Sequence, residues 1–214
     1  DGSAAANFLE ERLRERGVEN VVWLFQTNDS VFTSNDHLLI APEDFAGMRL
    51  RCLTPAFDAA LAALGAAPTA MPGSEVYQAL STGTLDGGIT GTDAAVSRRY
   101  YEVQEYFTVV PVISVFFHGY VNPGFYAGLS DTARAALDEA GSAAAGWAVE
   151  AAEAGMAQAV EDLRSQDVTV EILTDEQNAA LEAVMRPAFD AAFGSEVEGA
   201  SELLGLIDQL RSAN

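Results

Sequence analysis

The sequence predicts an α/β protein, and two observations support this fold class. Strand-like and helix-like segments alternate between residues 48 and 90 in the order βαβαβ, the pattern of an open, largely parallel sheet. Further along, Ser130 is a good N-cap for an Ala-rich helix over residues 131–164. Roughly 34 residues at 1.5 Å each span about 50 Å, so we expect this helix to bridge two lobes.

The first predicted elements lie before residue 48. Residues 4–16 carry an apolar stripe at helical spacing and are followed by Gly17, which predicts a helix that ends there. Residues 21–25 are apolar and predict a strand, whereas the polar residues 26–36 predict a loop. A proline opens residues 42–45, which predicts a single helical turn.

The alternating region and the C-terminal part supply the remaining elements. Residues 107–121 are rich in Val and Phe and are interrupted by Pro111, so they predict two joined strands that cross the core. Thr174 and Gln177 form a capping box that opens a helix through residue 193. The other predicted strands are residues 48–53, 68–71, 85–90 and 168–173, and the other predicted helices are residues 55–64, 74–81, 93–103 and 201–211.

The charge of the chain restricts its partners. The 214 residues include 32 acidic and 11 basic residues, every basic residue is Arg, and the net charge is −21. Nucleic acid is a poor partner for such a surface. An anionic ligand would be repelled at long range as well, so an anion site must be local, desolvated and built on Arg. No apolar run reaches the roughly 18 to 20 residues of a membrane helix, and we expect a protein that is not inserted in a membrane.

The cysteine and histidine content of the sequence gives little support for a metal site, a cofactor or a catalytic nucleophile. Cys52 is the only cysteine, which excludes an intramolecular disulfide and a cysteine zinc cluster. The two histidines, His37 and His118, lack partners at ligand spacing, so we predict no metal site and no cofactor. A strand cysteine between leucines is typical of inert packing rather than catalysis.

The candidate binding residues lie where the predicted strands end. In open α/β sheets, ligands bind beyond the carboxyl ends of the strands, and three loops, after residues 53, 71 and 90, converge there. Arg51 is near such an end, and its planar guanidinium matches a carboxylate bidentately. Strand position alone leaves open whether Arg51 binds a ligand or pairs with an acidic side chain of the chain. Arg49 lies farther from the edge, and a salt bridge is the expected role for it.

Several motifs in unbroken order resemble one family, the DctP-type solute-binding proteins of TRAP transporters. The resemblance covers roughly residues 36–165, and its motifs are specific jointly rather than singly. The matching segments are PEDFAGMRLR at residues 42–51, AALGAAPTAMPGSEVYQAL at 62–80, GTLDG at 83–87, YEVQEY at 101–106 and the stretch 122–136.

The resemblance implies a periplasmic-binding-protein-like fold of two α/β lobes with a long bridging helix, closing over a small organic acid. The family's mature chain is longer, so roughly its first hundred residues, most of the first lobe's sheet, are expected to be missing here. The implied division assigns residues 1–28 to a remnant of the first lobe and 29–115 to the second-lobe core. Residues 116–156 would be crossing strands and bridging helix, and 157–214 the end of that helix with C-terminal second-lobe elements.

The resemblance also implies roles for particular residues. Arg51 corresponds to the arginine that pairs with the ligand carboxylate, Thr54 and Thr90 to polar ligand contacts, and Gly73 to a position that often holds an aromatic wall. Phe117, on the crossing strands, is a further candidate to line the cleft. Family members commonly have Asn where Thr90 stands, and many use a second basic residue upstream that is absent from residues 21–36. We therefore expect a ligand with one carboxylate, held by one guanidinium.

Three functions remain as alternatives. The leading one is a non-enzymatic, periplasmic binding protein that delivers an organic acid to the permease subunits of a TRAP transporter. The second is a ligand-sensing module of the same fold, and the third is a small hydrolase or isomerase that uses Cys52 or paired carboxylates. A sensor would continue into a membrane helix or signalling domain, whereas this chain ends at Asn214.

Overall fold

The computed structural model describes residues 3–213, and their contacts divide the chain into two compact units. Unit 1 comprises Asp1–Gln26, Val115–Glu153 and Val197–Asn214, and unit 2 comprises Thr27–Ser114 and Ala154–Glu196. Both strands and helices are present, which confirms the predicted α/β class.

The secondary structure follows the predicted order, with one additional strand, Ser30–Ser34, and one additional short helix, Pro123–Gly128. The strands are β1 (Glu19–Thr27), β2 (Ser30–Ser34), β3 (Arg49–Cys52), β4 (Ala67–Ala70), β5 (Gly87–Gly91), β6 (Tyr106–Val110), β7 (Val115–Val121) and β8 (Thr169–Ile172). The helices are α1 (Ala4–Glu15), α2 (Pro55–Ala63), α3 (Gly73–Ser81), α4 (Thr92–Ser97), α5 (Pro123–Gly128), α6 (Asp131–Arg164), α7 (Asp175–Glu196) and α8 (Ala200–Ala213), with 3-10 turns at Pro42–Phe45 and Tyr100–Glu102.

Unit 2 is built on a six-stranded sheet in the order β4-β3-β5-β2-β6-β8. The pairs β3–β4 and β3–β5 are parallel, as the βαβαβ pattern of residues 48–90 predicts. The pair β6–β8 is parallel as well, but β2 is antiparallel to both of its neighbours. The prediction of a loop over residues 26–36 was therefore wrong. Every residue of β2 is buried, because β5 and β6 pair with it on either side and complete its backbone hydrogen bonds.

Alternation along the strands places apolar side chains on both faces of this sheet. On β2, Phe32 belongs to a core on one face and Val31 to a core on the other. The first core includes Leu61 of α2 and Leu181 of α7, and the second includes Leu163 of α6. A sheet covered on both faces is typical of α/β proteins, and it holds the ends of its strands in fixed positions.

The predicted helix over residues 93–103 is interrupted in the structure. Helix α4 ends at Ser97, with Arg98 as its C-cap, and Arg99 adopts a left-handed backbone with φ of 58°. A 3-10 turn at Tyr100–Glu102 follows. The helical periodicity of the sequence continues across this break, and the single left-handed residue redirects the chain so that Tyr100 is buried in unit 2.

Unit 1 contains the two-stranded sheet β1–β7 together with α1, α5, α8 and the first part of α6. The apolar stretch 107–121 forms two strands, as predicted, but β6 and β7 belong to different sheets. Helix α8 packs against α1, and both helices belong to unit 1.

The long helix and the last capping box match the sequence prediction. Helix α6 runs over Asp131–Arg164, and Ser130 Oγ accepts a hydrogen bond from the backbone N–H of Ala133. Before α7, Thr174 Oγ1 accepts from the Gln177 backbone and Gln177 Oε1 accepts from the Thr174 backbone. Within the described residues, no helix combines the length and apolar character that a membrane crossing requires.

Candidate ligand-binding site

Strands β3, β4 and β5 run parallel, so their carboxyl ends meet at one edge of the unit 2 sheet. Arg51 on β3 is in register with Thr69 on β4 and Gly88 on β5. The loop after β4 begins at Met71, and helix α4 begins directly after β5. The three predicted loops are therefore neighbours, because adjacent parallel strands deliver them to the same edge.

The Arg51 side chain ties these loops together. It is 6% exposed, its Nε donates to the Met71 carbonyl at 3.1 Å, and its Nη1 donates to the Ile89 carbonyl at 2.8 Å. Within residues 3–213, no Asp or Glu forms a salt bridge with it. The internal salt bridge that the sequence left open is thus not formed in the described chain, although acidic residues outnumber basic ones about three to one.

Burial governs the electrostatics of Arg51. Loss of water lowers the pKa of its guanidinium, the Tyr100 phenol acts in the opposite direction, and the charge of Arg98 lowers the pKa further. An arginine stays protonated in proteins even so. A buried cation held only by neutral carbonyl groups is poorly compensated, and an anion that reaches it would supply the missing charge.

Two consecutive glycines on β5 allow the neighbouring strands to approach closely. A Cβ on Gly88 would lie 2.9 Å from the Arg51 Cβ, and a Cβ on Gly87 would lie 1.9 Å from the Thr33 carbonyl oxygen of β2. Both distances are shorter than non-bonded atoms tolerate without movement. Gly88 therefore sets the position of Arg51 in the sheet, a role that its place within the predicted strand 85–90 did not reveal.

The two threonines named from the sequence differ in their surroundings. Thr90 is buried on β5, two residues after Gly88, so it lies on the same face of the sheet as Arg51. Thr54 is exposed and is the N-cap of α2, where its Oγ1 accepts a hydrogen bond from the Phe57 backbone at 3.3 Å. A capping hydroxyl still has its own O–H to donate, so Thr54 remains a candidate contact.

Gly73 begins α3, and the Arg98 guanidinium fills the space beside it. A Cβ on Gly73 would lie 2.6 Å from Nη1 and 2.7 Å from Cζ of Arg98. Arg98 was missed in the sequence because it was placed in the middle of a continuous helix. The signals that could have found it are the Arg98-Arg99 pair and a glycine at the first position of a helix, where a side chain is normally tolerated.

Phe117, the remaining candidate, lies on β7 in unit 1. Its side chain is 58% exposed, and its neighbour Phe116 contacts Phe25 with ring centroids 5.4 Å apart. Its proposed contact with a ligand stays a prediction.

Arg49 has the structural role expected for it. Its Nε donates to Asp86 Oδ2 at 3.0 Å, its backbone N–H donates to the same oxygen at 2.8 Å, and its Nη2 donates to the Gly83 carbonyl at 2.9 Å. The hydrogen bonds from Arg49 hold the pKa of Asp86 below its usual value. This cluster joins β3 to the turn before β5 and leaves Arg51 as the arginine on β3 that is available to a ligand.

Cys52, the residue after Arg51, has a thiol in an environment that disfavours reaction. It is fully buried and its thiol donates to the Asp58 carboxylate. Burial and the nearby carboxylate raise the pKa of the thiol to about 12. Since the thiolate is the nucleophilic form, this environment disfavours the hydrolase alternative.

Comparisons with known proteins agree on one family of solute-binding proteins. A family model described as bacterial extracellular solute-binding protein, family 7 (DctP) matches residues 1–196. The C4-dicarboxylate-binding periplasmic protein DctP of Rhodobacter capsulatus is 31% identical over 194 residues, which are 87% of this chain and 56% of that protein. The ectoine-binding periplasmic protein TeaA of Halomonas elongata is 31% identical over 187 residues, 83% of this chain and 52% of that protein. The chain thus spans about half the length of these curated relatives.

Solved structures show the same fold. A TRAP periplasmic solute-binding protein from Rhodoferax ferrireducens with bound malonate superposes with a TM-score of 0.90 at 24% identity, covering 99% of this chain and 67% of that one. The ectoine-binding protein of the Halomonas elongata TeaABC TRAP transporter superposes with a TM-score of 0.89 at 28% identity, covering 100% and 71%.

Proposed function

Because the chain belongs to the DctP family of bacterial extracellular solute-binding proteins, we propose that it is part of a protein that captures a small organic acid for a TRAP transporter. This protein works outside the cytoplasm and hands its ligand to the membrane permease subunits. It binds its ligand and does not transform it, as is typical of the family.

One observation carries the ligand chemistry. Arg51 is a buried guanidinium at the carboxyl end of a parallel strand, and within the described residues it has carbonyl partners but no carboxylate. The Nε and Nη1 groups are held by the chain, so the direction of the remaining N–H groups is fixed before a ligand arrives. A carboxylate is the ligand group that best satisfies such a planar donor set.

The same site disfavours the enzyme alternative. The thiol nearest to Arg51 is that of Cys52, which is buried and has a raised pKa. Capture by a fixed donor, without an activated nucleophile beside it, fits binding and release better than turnover.

Isothermal titration calorimetry on the full-length protein that carries this chain tests the proposal. Arg51→Lys keeps the charge but loses the fork, and Arg51→Ala loses both, so each variant is expected to weaken carboxylate binding by about 2–5 kcal/mol. The ligands would come from a thermal-shift screen of organic acids, in which a bound acid raises the melting temperature by mass action.

Arg49→Lys is the matched control, since Arg49 lies two residues away on the same strand and pairs with Asp86 instead of a ligand. Its affinity for the acid should equal that of the parent. Unchanged affinity in Arg51→Lys and Arg51→Ala would refute the role of Arg51, and a parent that binds no organic acid would refute the proposed function.

A further inference from the structure

The chain between β2 and β3 crosses one end of the unit 2 sheet. Strand β5 lies between β2 and β3, and its first residue, Gly87, pairs with Ser34 of β2 and with Leu50 of β3. Residues 35–48, the crossover, therefore pass the amino end of β5. The candidate ligand site lies at the opposite edge, where the parallel strands have their carboxyl ends.

Side-chain caps fix the backbone of the crossover. Ser34 Oγ accepts a hydrogen bond from the His37 backbone N–H at 3.2 Å and donates to the His37 carbonyl at 2.5 Å. Further along, Asp44 Oδ2 accepts from the backbone N–H groups of Ile40 at 3.0 Å and Ala41 at 2.7 Å. The backbone on both sides of the His37 ring is therefore held in a defined conformation.

The His37 ring contacts an oxygen atom through each of its nitrogens. Nε2 lies 2.9 Å from the Asp44 carbonyl oxygen, and Nδ1 lies 3.3 Å from Asp36 Oδ2. A carbonyl group and an ionised carboxylate accept hydrogen bonds but do not donate them, so each contact needs an N–H on the ring. A neutral imidazole has one N–H, whereas the imidazolium has two. Only the protonated ring can donate to both oxygens.

The groups around the ring favour this protonated form. The hydrogen bond to the Asp44 backbone raises the pKa of His37, partial burial lowers it, and the carboxylates of Asp36 and Asp44 raise it further. The charged groups that act on the ring are these two carboxylates, one from the preceding residue and one from the 3-10 turn at Pro42–Phe45. The geometry and the local charge therefore agree on an imidazolium.

We propose that His37 is a pH-sensitive latch, which ties residues 36 and 44 of the crossover together while the ring is protonated. Loss of the proton leaves one ring nitrogen with a lone pair that faces an oxygen, so one contact is lost. The other contact weakens, because a charged donor makes a hydrogen bond roughly twice as strong as a neutral one. This latch goes beyond the proposed function and does not depend on what the protein binds.

The direction of the pH dependence follows from the raised pKa of His37. A group whose pKa is higher in the folded state stabilises that state fully below its unfolded pKa, here 6.5. The stabilisation is lost as the pH rises through the folded pKa. The effect is modest in size, since the side chains of His37 and Asp36 are 41% and 90% exposed.

An NMR titration of the full-length protein tests the protonation of the ring. Imidazole C–H resonances are followed from about pH 5 to 9, and the signal missing from His37→Gln assigns His37. We expect a midpoint above the ordinary value of 6.5. Asp36→Asn should lower this midpoint, because a neutral amide no longer stabilises the imidazolium. Glu43→Gln is the matched control, since it removes an equal charge from the 3-10 turn without touching either ring contact, and its midpoint should move less than half as far.

Hydrogen exchange measures the latch itself. The backbone N–H groups of Ile40 and Ala41 report on the crossover, since both are bonded to Asp44 and neither is adjacent to position 37. In His37→Gln the side-chain amide donates equally well at every pH. The exchange rate in this variant, divided by that in the parent at the same pH, should be about two- to five-fold near pH 5.5 and close to one near pH 8.5.

The outcomes decide for or against the latch. A raised midpoint together with a pH-dependent exchange ratio supports it. A midpoint at or below the ordinary value in the parent refutes it without any substitution, and an equal exchange ratio at both pH values refutes it by showing that the ring acts only as a neutral donor. A midpoint that Glu43→Gln moves as far as Asp36→Asn also refutes it, because the contact with Asp36 would then have no particular role. None of these results bears on the proposed function, since the crossover lies at the other edge of the sheet.

Discussion

Replacement of Gly88 with alanine should displace Arg51 and thereby weaken both folding and ligand binding. The added Cβ would lie 2.9 Å from the Arg51 Cβ and 3.5 Å from the Arg51 carbonyl oxygen. Ordinary carbon contacts are about 3.5–4.0 Å, so the strands must separate or the Arg51 side chain must shift by roughly 0.5–1 Å.

The magnitude follows from the packing of the sheet. Overpacking of this kind costs about 1–3 kcal/mol of unfolding free energy, which for a chain of this size lowers the melting temperature by about 2–12 °C. The same shift strains the hydrogen bond from Arg51 Nη1 to the Ile89 carbonyl, now 2.8 Å, and moves the guanidinium from its binding position. Binding geometry tolerates about 0.5 Å, so acid affinity should fall at least about ten-fold.

Urea denaturation and calorimetry on the same preparations measure the two effects. Gly146→Ala is the control, because Gly146 lies on α6 with open space around its Cα. Gly87→Ala marks the severe limit, since its Cβ would meet the backbone oxygen of Thr33 and break the β2–β5 pairing. A Gly88→Ala protein with the parent's stability and acid affinity would refute the idea that this glycine positions Arg51.

Three further predictions use residues outside the ligand contacts. Asp86→Asn should lower the melting temperature by about 2–4 °C at pH 7. Arg49 depresses the pKa of Asp86, so the contribution of this carboxylate to stability is present above its unfolded pKa of about 3.9 and is lost as the pH falls through the folded pKa. A difference in melting temperature from the parent that persists at pH 2 would contradict this prediction. Cys52, with its raised pKa, should resist a thiol reagent at pH 8 in the folded protein and react in urea, and rapid labelling of the native protein would contradict its inert environment. Gly146→Ala should raise the unfolding free energy by about 0.5–1 kcal/mol in urea denaturation, since alanine is the better helix former and meets no neighbour, and a destabilised variant would show that this part of α6 has contacts beyond those described.

Local signals predicted most elements of the fold correctly. The capping box at Thr174 and Gln177 marked the start of α7, and Ser130 marked the start of α6, because capping is decided by a few adjacent residues. Strand β2 was missed for the opposite reason. Its sequence, Ser-Val-Phe-Thr-Ser, is short and half polar, and only pairing with β5 and β6 makes it a buried central strand.

The candidate site, like the fold, was predicted only in part from the sequence. The end of a strand is where the sequence placed Arg51, but that position left its role open, and only the resemblance to the family predicted a ligand contact. Its hydrogen-bond partners are Met71, on the loop after β4, and Ile89, on β5. Arg98 did not follow, because its position depends on the left-handed conformation of Arg99 and on the space beside Gly73, and neither is encoded in a periodic pattern. Contacts between distant segments, and not residue types, decide which side chains share this site.

The two carbonyl groups that hold Arg51 have a consequence for the selectivity of the proposed ligand binding. A free arginine side chain loses close to 2 kcal/mol of rotamer freedom when it is fixed in one orientation. Here the Met71 and Ile89 carbonyl groups impose that order when the chain folds, so an acid that binds as we propose would meet a guanidinium already desolvated and oriented. The guanidinium is preorganised, and the strength of the proposed binding would then depend on how well the acid fits rather than on how readily the arginine adjusts.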